Sequence, residues 1–463
     1  MDTTEVDRWL EDLHLVRMSK RTREVLLGTA SQISEGRTSV DEICSVIGVN
    51  PTYVNQMFGS RSALLESAAG YVVRSEVGHS VEALTEVSGQ LSRPHDVGRA
   101  TAEWFTSATV QLADSRRTAL LHALPLLVRS PSGRQRLGVA IQEPCRALTY
   151  SLRDWQARWL ARDEFDPVTR AYFMIGLLLA YVVTPVPRRL ASDLARQAAL
   201  LVSSLADVGD SRTLALDSWA PNRRPSKLPG RMNTLEESID QLVPGDSTWF
   251  REVCRRSEEA AISSAHHPIP ISEICDQLGI SSRSIYRYFP TRSNFEWALQ
   301  SVHAFSDWAS IESQWAEFRS CDAAAEVEHL VSDLLQSFAD AGSRARRELR
   351  LKVIADRYRE DASEAFGLAV QGVLERCSAI VSQLQRRGLV AESVDSATFP
   401  QMMFMIDVSR SICDCAAEPI PDASWGWECD LMVGSVFASS NASVFRTRRG
   451  TADTITQPRL YLS

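Results

Sequence analysis

Lysine is almost missing from this chain. Of its 50 basic residues only Lys20, Lys227 and Lys352 are lysines. Its cationic chemistry is therefore guanidinium chemistry: planar, always charged, and able to grip a base edge or a phosphate with two parallel N–H bonds. Long apolar runs are scarce too. The longest extends from Ala171 to Val183, short of the roughly 20 residues that span a bilayer, so no membrane partner is expected. The nine cysteines are odd in number and scattered without paired spacings, which suits free thiols in a reducing cytoplasm. The opening MDTTEVDRWLEDLHLV is acidic and lacks the basic start and apolar core of a signal peptide, a second pointer to the cytoplasm. There is no phosphate-cradling P-loop, no Gly-rich dinucleotide fingerprint and no nucleophile elbow, so neither an enzyme nor a cofactor is expected. Cys413 and Cys415 around Asp414 lack the usual ligand gap and a partner pair, and His266-His267 reads as a solvated loop, so no metal site is expected.

What is present is a soluble composition, 44% hydrophobic and 23% charged, in 463 residues. That length is too great for one core. The net charge of −8 argues against a general nucleic-acid coat protein. It leaves room for a sequence-specific one, in which only the docking face must be positive. Apolar positions recur at helical spacing in EVLLGTASQI, TALLHALPLLV, SDLARQAALLVSSLADV, EVEHLVSDLLQSF and AVQGVLERCSAIVSQL, which predicts an all-α protein.

The chain also repeats itself. Residues 42–62, EICSVIGVNPTYVNQMFGSRS, return as 273–293, EICDQLGISSRSIYRYFPTRS, at an offset of 231 (273 − 42). Further landmarks follow in order: Arg23-Glu24-Val25 with Arg251-Glu252-Val253, Phe173-Met174-Ile175 with Phe404-Met405-Ile406, and Pro185-Val186-Pro187 with Pro419-Ile420-Pro421. The predicted organisation is a helix-turn-helix domain over 1–78, a helical domain over 79–207, a linker over 208–233, a second helix-turn-helix domain over 234–309, a second helical domain over 310–445 and a tail over 446–463. The linker carries Pro221, Pro225, Pro229 and Gly230 with Arg223, Arg224, Lys227 and Arg231. It reads either as a solvated tether or as an arm laid on DNA phosphates.

Each copy has the parts of a helix-turn-helix. In the second, Gly279 permits the left-handed turn, Ser281 caps the next helix, and Ser282, Arg283, Ser284, Tyr286, Arg287 and Tyr288 fall outside the buried Ile285. Arginine can hold guanine through two bonds, serine can accept or donate, and Arg292 at the start of the following helix suits a phosphate. In the first, Gly48 and Asn50 take the turn and cap positions. Thr38, Pro51, Thr52, Tyr53, Asn55 and Gln56 form the exposed set, with Arg61 at the phosphate position. No acid occurs from Ile43 to Leu65 or from Gln277 to Phe295, although the protein as a whole is acidic. Double-stranded DNA is the expected partner.

The run Ile285-Tyr286-Arg287-Tyr288-Phe289-Pro290-Thr291-Arg292, after Ile274-Cys275 and Gly279-Ile280-Ser281, resembles the TetR family of transcriptional regulators. The match is close over about 50 residues of the second unit; downstream it rests on helical character and length alone. The first unit departs from it: Asn55 stands at an aromatic position, Met57 at the next, and Gly59 at the proline. That unit is either a reader through Asn and Gln, which suit adenine, or a structural partner.

The resemblance implies DNA contact at the exposed residues, a ligand-responsive helical domain in each unit, and a four-helix dimer interface. Here that interface would comprise 168–181 with 192–207 and 400–413 with 425–439, closed within one chain as a pseudo-dimer reading an asymmetric operator. For a small-molecule effector the candidate pocket residues are Trp104, Phe105, Trp155, Trp159 and Phe173 in the first unit. In the second they are Phe305, Trp308, Trp315, Phe338 and Met405. The alternative for each is ordinary core. Two other classes remain open: a diverged interaction protein with little DNA affinity, and an all-α enzyme or carrier reusing the helical domain.

Overall fold

The computed structural model describes residues 3–13, 19–109, 114–184, 193–195, 197–199, 202, 248–263, 272, 275–276, 279, 281–292, 294–295, 298–299, 302, 313–339, 347–348, 351, 363–390, 394–415, 420–422, 424–426 and 428–429. The expected linker and tail, Phe305, Trp308 and His266-His267 lie outside the described residues. Among the described residues every element is helical and no strand occurs. No helix there is long and apolar enough to cross a membrane.

In the first unit each boundary has a local cause. Helix α1 spans Thr3–Asp12, and α2, Lys20–Ser34, begins where Ser19 Oγ accepts the Thr22 N–H at 3.1 Å. Helix α3, Val40–Ile47, stops at Gly48, whose φ of 65° is left-handed and open to glycine without strain. Asn50 Oδ1 accepts from Thr52 N at 2.8 Å and opens α4, Pro51–Phe58, with Pro51 in the first turn where its missing N–H costs nothing. Ser60 caps α5, Arg61–Ser88, a helix of 28 residues. At about 1.5 Å per residue it is long enough to run from the helix-turn-helix deep into the helical domain. Its residues are buried for most of that length against α2, α7 (Asp114–Val128) and α8 (Pro131–Ala157). Between α5 and α7 runs α6, Pro94–Thr109, which packs on α5 and on α9, Pro167–Val183.

Helix α1 is stapled onto this body. Trp9 is fully buried and donates Nε1–H to Ser67 O at 3.0 Å. Its ring lies over Gly70, where a Cβ would stand 2.5 Å from Cζ2. Buried Arg74 sits 5.6 Å from the Trp9 ring centre and forms ion pairs with Asp12 of α1 and Glu143 of α8.

The second unit contributes α10 (Thr248–Ser263), α11 (Ser282–Tyr288), a short 3-10 turn (Phe318–Ser320), α12 (Ala324–Ala339), α13 (Ser363–Arg386) and α14 (Phe399–Cys413). One continuous core holds residues of the first helix-turn-helix (Val25, Cys44, Val54, Phe58), of the first helical domain (Trp155, Phe173) and of the second (Trp315, Met405). The second helix-turn-helix has a core of its own: Phe250, Val253, Cys254, Cys275, Ile285, Phe289, Phe295, Ala298 and Val302. Its centre is aromatic, with Phe250–Phe289 and Phe289–Phe295 ring centres 5.3 and 5.4 Å apart.

Helices α9 and α14 pack against each other. Gly176 makes the approach close: a Cβ there would meet Ser409 Oγ at 2.5 Å and Cys413 Sγ at 2.8 Å. Cys413 donates its thiol to Tyr172 O at 3.2 Å and Ser409 its hydroxyl to Phe173 O at 3.4 Å. Phe173 also meets the Trp425 ring at 5.0 Å. Buried Arg170 pairs with buried Glu428 at 2.6 Å, and Arg134 with Glu348 at 3.2 Å, so ion pairs as well as apolar packing join the two units. Of the helices expected to complete this bundle, residues 193–195, 197–199 and 202 of one and 425–426 and 428–429 of the other are described.

Candidate nucleic-acid interface

Two short helices present the residues expected to read DNA. On α11, Ser281 Oγ accepts the Ser284 N–H at 3.3 Å, and Gly279 holds φ at 64°. Ile285 is buried beneath, while Ser282, Arg283, Ser284, Tyr286, Arg287 and Tyr288 are exposed, Tyr286 at 45% and Tyr288 at 37%. Arginine and tyrosine side chains are among the groups that can bond to phosphate oxygens, and arginine can also bond to base edges. Tyr288 leans on Trp249 of α10 with ring centres 5.5 Å apart, which fixes the end of the helix. Thr291 Oγ1 accepts from Asn294 N at 3.1 Å and caps the next turn, on which Arg292 is exposed.

The first unit is built differently. On α4, Thr52, Asn55 and Gln56 are exposed, whereas Pro51 and Tyr53 are half-buried, Tyr53 packing on the core. Thr38 is exposed just before α3. Arg61 does not stand alone at the head of α5: Asp41 of α3 holds it at 2.8 Å. Arg21 donates to Gly48 O at 3.2 Å and so braces the turn itself. Helix α4 carries no cation, whereas α11 carries Arg283 and Arg287. The two faces share a backbone plan and differ in charge.

Behind the first face, two polar junctions tie the helix-turn-helix to the helical domain. Glu66, buried on the first turns of α5, accepts from Ser130 Oγ at 2.7 Å and Ser132 Oγ at 2.9 Å, and pairs with Arg136 at 2.5 Å. A carboxylate thereby faces the start of α8, where the helix dipole favours it. Burial lowers the Arg136 pKa, which Glu66 opposes. At the end of α2, the His122 ring of α7 fills the space beside Gly36, whose Cβ would lie 2.9 Å from its Cε1. Desolvation lowers the His122 pKa, against the opposing hydrogen bond to the Ile33 backbone. Burial pushes the Cys44 and Cys275 thiols up, so both stay protonated in their core positions.

Of the expected effector residues, Trp104, Phe105, Trp155, Phe173, Trp315 and Met405 are buried. Trp104 is buried and donates Nε1–H to Ser80 O at 2.6 Å, with Phe105 edge-on at 6.1 Å. Trp155 is fully buried and its Nε1 has no hydrogen-bond partner among the described residues. Phe173 meets Trp425 across the two units, and Met405 on α14 is fully buried. Trp315 stacks on Phe318 at 5.1 Å. Phe338 lies on α12, with its side chain outside the described residues. Trp159 is a correction: it is 82% exposed. Its four-residue spacing from Trp155 would share a face only in a continuing helix, but α8 ends at Ala157 and Trp159 turns out at φ 59°.

Spacing alone did not reveal the Trp9 staple, the Glu66 junction or the Arg170–Glu428 pair. Their members lie far apart in the chain; the one local signal was a tryptophan inside the amphipathic segment VDRWLEDL. Among the described residues no group of three His, Cys, Asp or Glu side chains is arranged to hold a metal. No protein-family model and no curated protein matches this chain.

Proposed function

We propose that the chain is a sequence-specific DNA-binding transcriptional regulator of TetR-like design, a repressor whose two units act as a pseudo-dimer within one polypeptide. The observation that carries this reading is the pair of capped, acid-free helices, α4 and α11, related by the 231-residue offset and each presenting polar side chains to solvent. The packing of α9 on α14 supports the intramolecular pairing. Because α4 offers Asn and Gln where α11 offers Arg and Ser, the operator is asymmetric, with half-sites about one helical turn, roughly 34–36 Å, apart. A small apolar effector acts by binding one arrangement of the two reading helices better than another. Capture of fragmented genomic DNA by the purified chain at moderate salt, followed by sequencing, tests this. A bipartite motif with unlike halves is the expected result; no enrichment from well-folded protein, with and without cell extract as effector source, overturns it.

A second reading is favoured by one observation, the Arg61–Asp41 pair together with the absence of a cation on α4. In it only the second unit binds DNA and the first is an interaction partner. One constrained half-site beside an indifferent one in the same experiment would select it.

A further inference from the structure

The face between α9 and α14 is unsymmetrical, and the asymmetry falls on charge. Arg170 and Glu428 lie 2.6 Å apart, each side chain 1% exposed. The offset that relates Phe173-Met174-Ile175 to Phe404-Met405-Ile406 equates Arg170 with Gln401. At that offset Glu428 falls opposite Gln197; at the offset of 234 (419 − 185) that relates Pro185 to Pro419 it falls opposite Leu194. In either register one copy of the contact is an arginine–glutamate pair, and its two-fold equivalent carries no charge. The buried carbonyl oxygens of Gln197 and Gln401 have no hydrogen-bond partner among the described residues.

We propose that Arg170 and Glu428 make this interface selective for unlike units, so that the first unit pairs with the second and neither pairs with a second copy of itself. The inference rests on the reading of the chain as two duplicated units, and not on DNA binding. In a two-fold pair of first units, each Arg170 would meet a neutral residue of the other, burying two guanidinium groups without a carboxylate. In a pair of second units, each Glu428 would meet Gln401, burying two carboxyl groups without a cation. A buried charge left without its partner costs far more than a neutral amide does. Discrimination therefore comes from the penalty on the wrong partner. Shape agrees with charge: Ser409, close over Gly176, has Leu178 as its equivalent, a bulkier side chain at the point of closest approach. The ring of Phe165, 5.0 Å from the Arg170 guanidinium, holds that cation in place.

The test uses the full chain carrying a specific protease site within residues 221–230, purified folded, then cleaved and held in urea below its unfolding transition to allow exchange. Native mass spectrometry reads the pairing. The expected result is a 1:1 complex of unlike units from the unsubstituted chain, and homodimers approaching a statistical mixture from R170Q/E428Q, in which neither copy of the contact carries a charge. The charge-reversed R170E/E428R chain, expected to return to 1:1 pairing, keeps the test decisive if R170Q/E428Q does not fold. Homodimers from the unsubstituted chain, or unchanged 1:1 pairing in R170Q/E428Q, overturn the proposal while leaving the duplicated architecture intact. Separation into monomers on cleavage overturns both it and the pseudo-dimer reading.

Discussion

Arg61, at the head of α5, is held at 2.8 Å by Asp41 of α3, so the cation expected on a phosphate in the first unit already faces a carboxylate. An exposed pair of this kind contributes little to folding, of order 0–1 kcal/mol. Its consequence lies in binding: the approach of a phosphate must compete with Asp41. R61A should therefore change DNA affinity by less than about threefold, and D41N should strengthen it. Fluorescence anisotropy at two salt concentrations measures both.

Arg283 and Arg287 have no such counterpart on their own helix, since α11 carries no acid. R287A should cost about 1–3 kcal/mol of binding if the side chain reads a guanine, and should relax sequence preference at one position. If it meets only phosphate, the salt slope should fall by about 1 with preference unchanged. Titrations of wild-type and base-substituted operators across a salt series separate these outcomes.

Glu66 links the first turns of α5 to the start of α8. Replacing it by alanine leaves Arg136 and two serine hydroxyls at the start of α8 without their acceptor. A loss of about 2–3 kcal/mol in stability is expected by urea unfolding. Glu66→Gln, which keeps one acceptor oxygen for a serine hydroxyl and loses the charge, should recover part of it.

Glu428 should impose a pH dependence on stability. Desolvation raises its pKa from the usual 4.5 to about 7, against the attraction of Arg170. The folded form thus binds a proton more tightly than the unfolded chain does. The contribution is fully present below pH about 4.5, and is lost as pH rises through about 7. Thermal unfolding followed over that window should show the decline in the native chain and a flatter profile in E428Q. An unchanged slope would mean that other groups carry the dependence.

Gly70→Ala should destabilise the chain by about 1–3 kcal/mol, because the added methyl meets the Trp9 ring and the surrounding packing leaves it nowhere to go. The double variant G70A/W9A should lose less than the sum of the two single losses, a coupling that a double-mutant cycle reads directly.

Local chemistry was legible in the sequence wherever a single residue type decides a conformation. Gly48 and Gly279 mark the two turns, Asn50 and Ser281 the two caps, and the run from Pro400 to Cys413 anticipates α14, which begins one residue earlier at Phe399. Periodicity was enough for the all-α class. It failed where the chain leaves its period, as at Trp159 beyond the end of α8, and where a contact joins distant segments, as between Trp9 and Ser67. The Arg170–Glu428 pair lay between these cases. Its charges are invisible to helical spacing, yet the repeat already set Arg170 opposite the neutral Gln401.

Since α9 and α14 belong to one polypeptide, dilution does not part them: each is present to the other at a fixed local concentration set by the tether. A regulator assembled from separate chains loses its binding-competent form as it becomes scarce, and its occupancy of DNA falls faster than its abundance. On the proposed reading, occupancy of DNA by this chain would follow its abundance in simple proportion. On the same reading, the two DNA-contacting helices are encoded together, so either could change its sequence preference without obliging the other to follow.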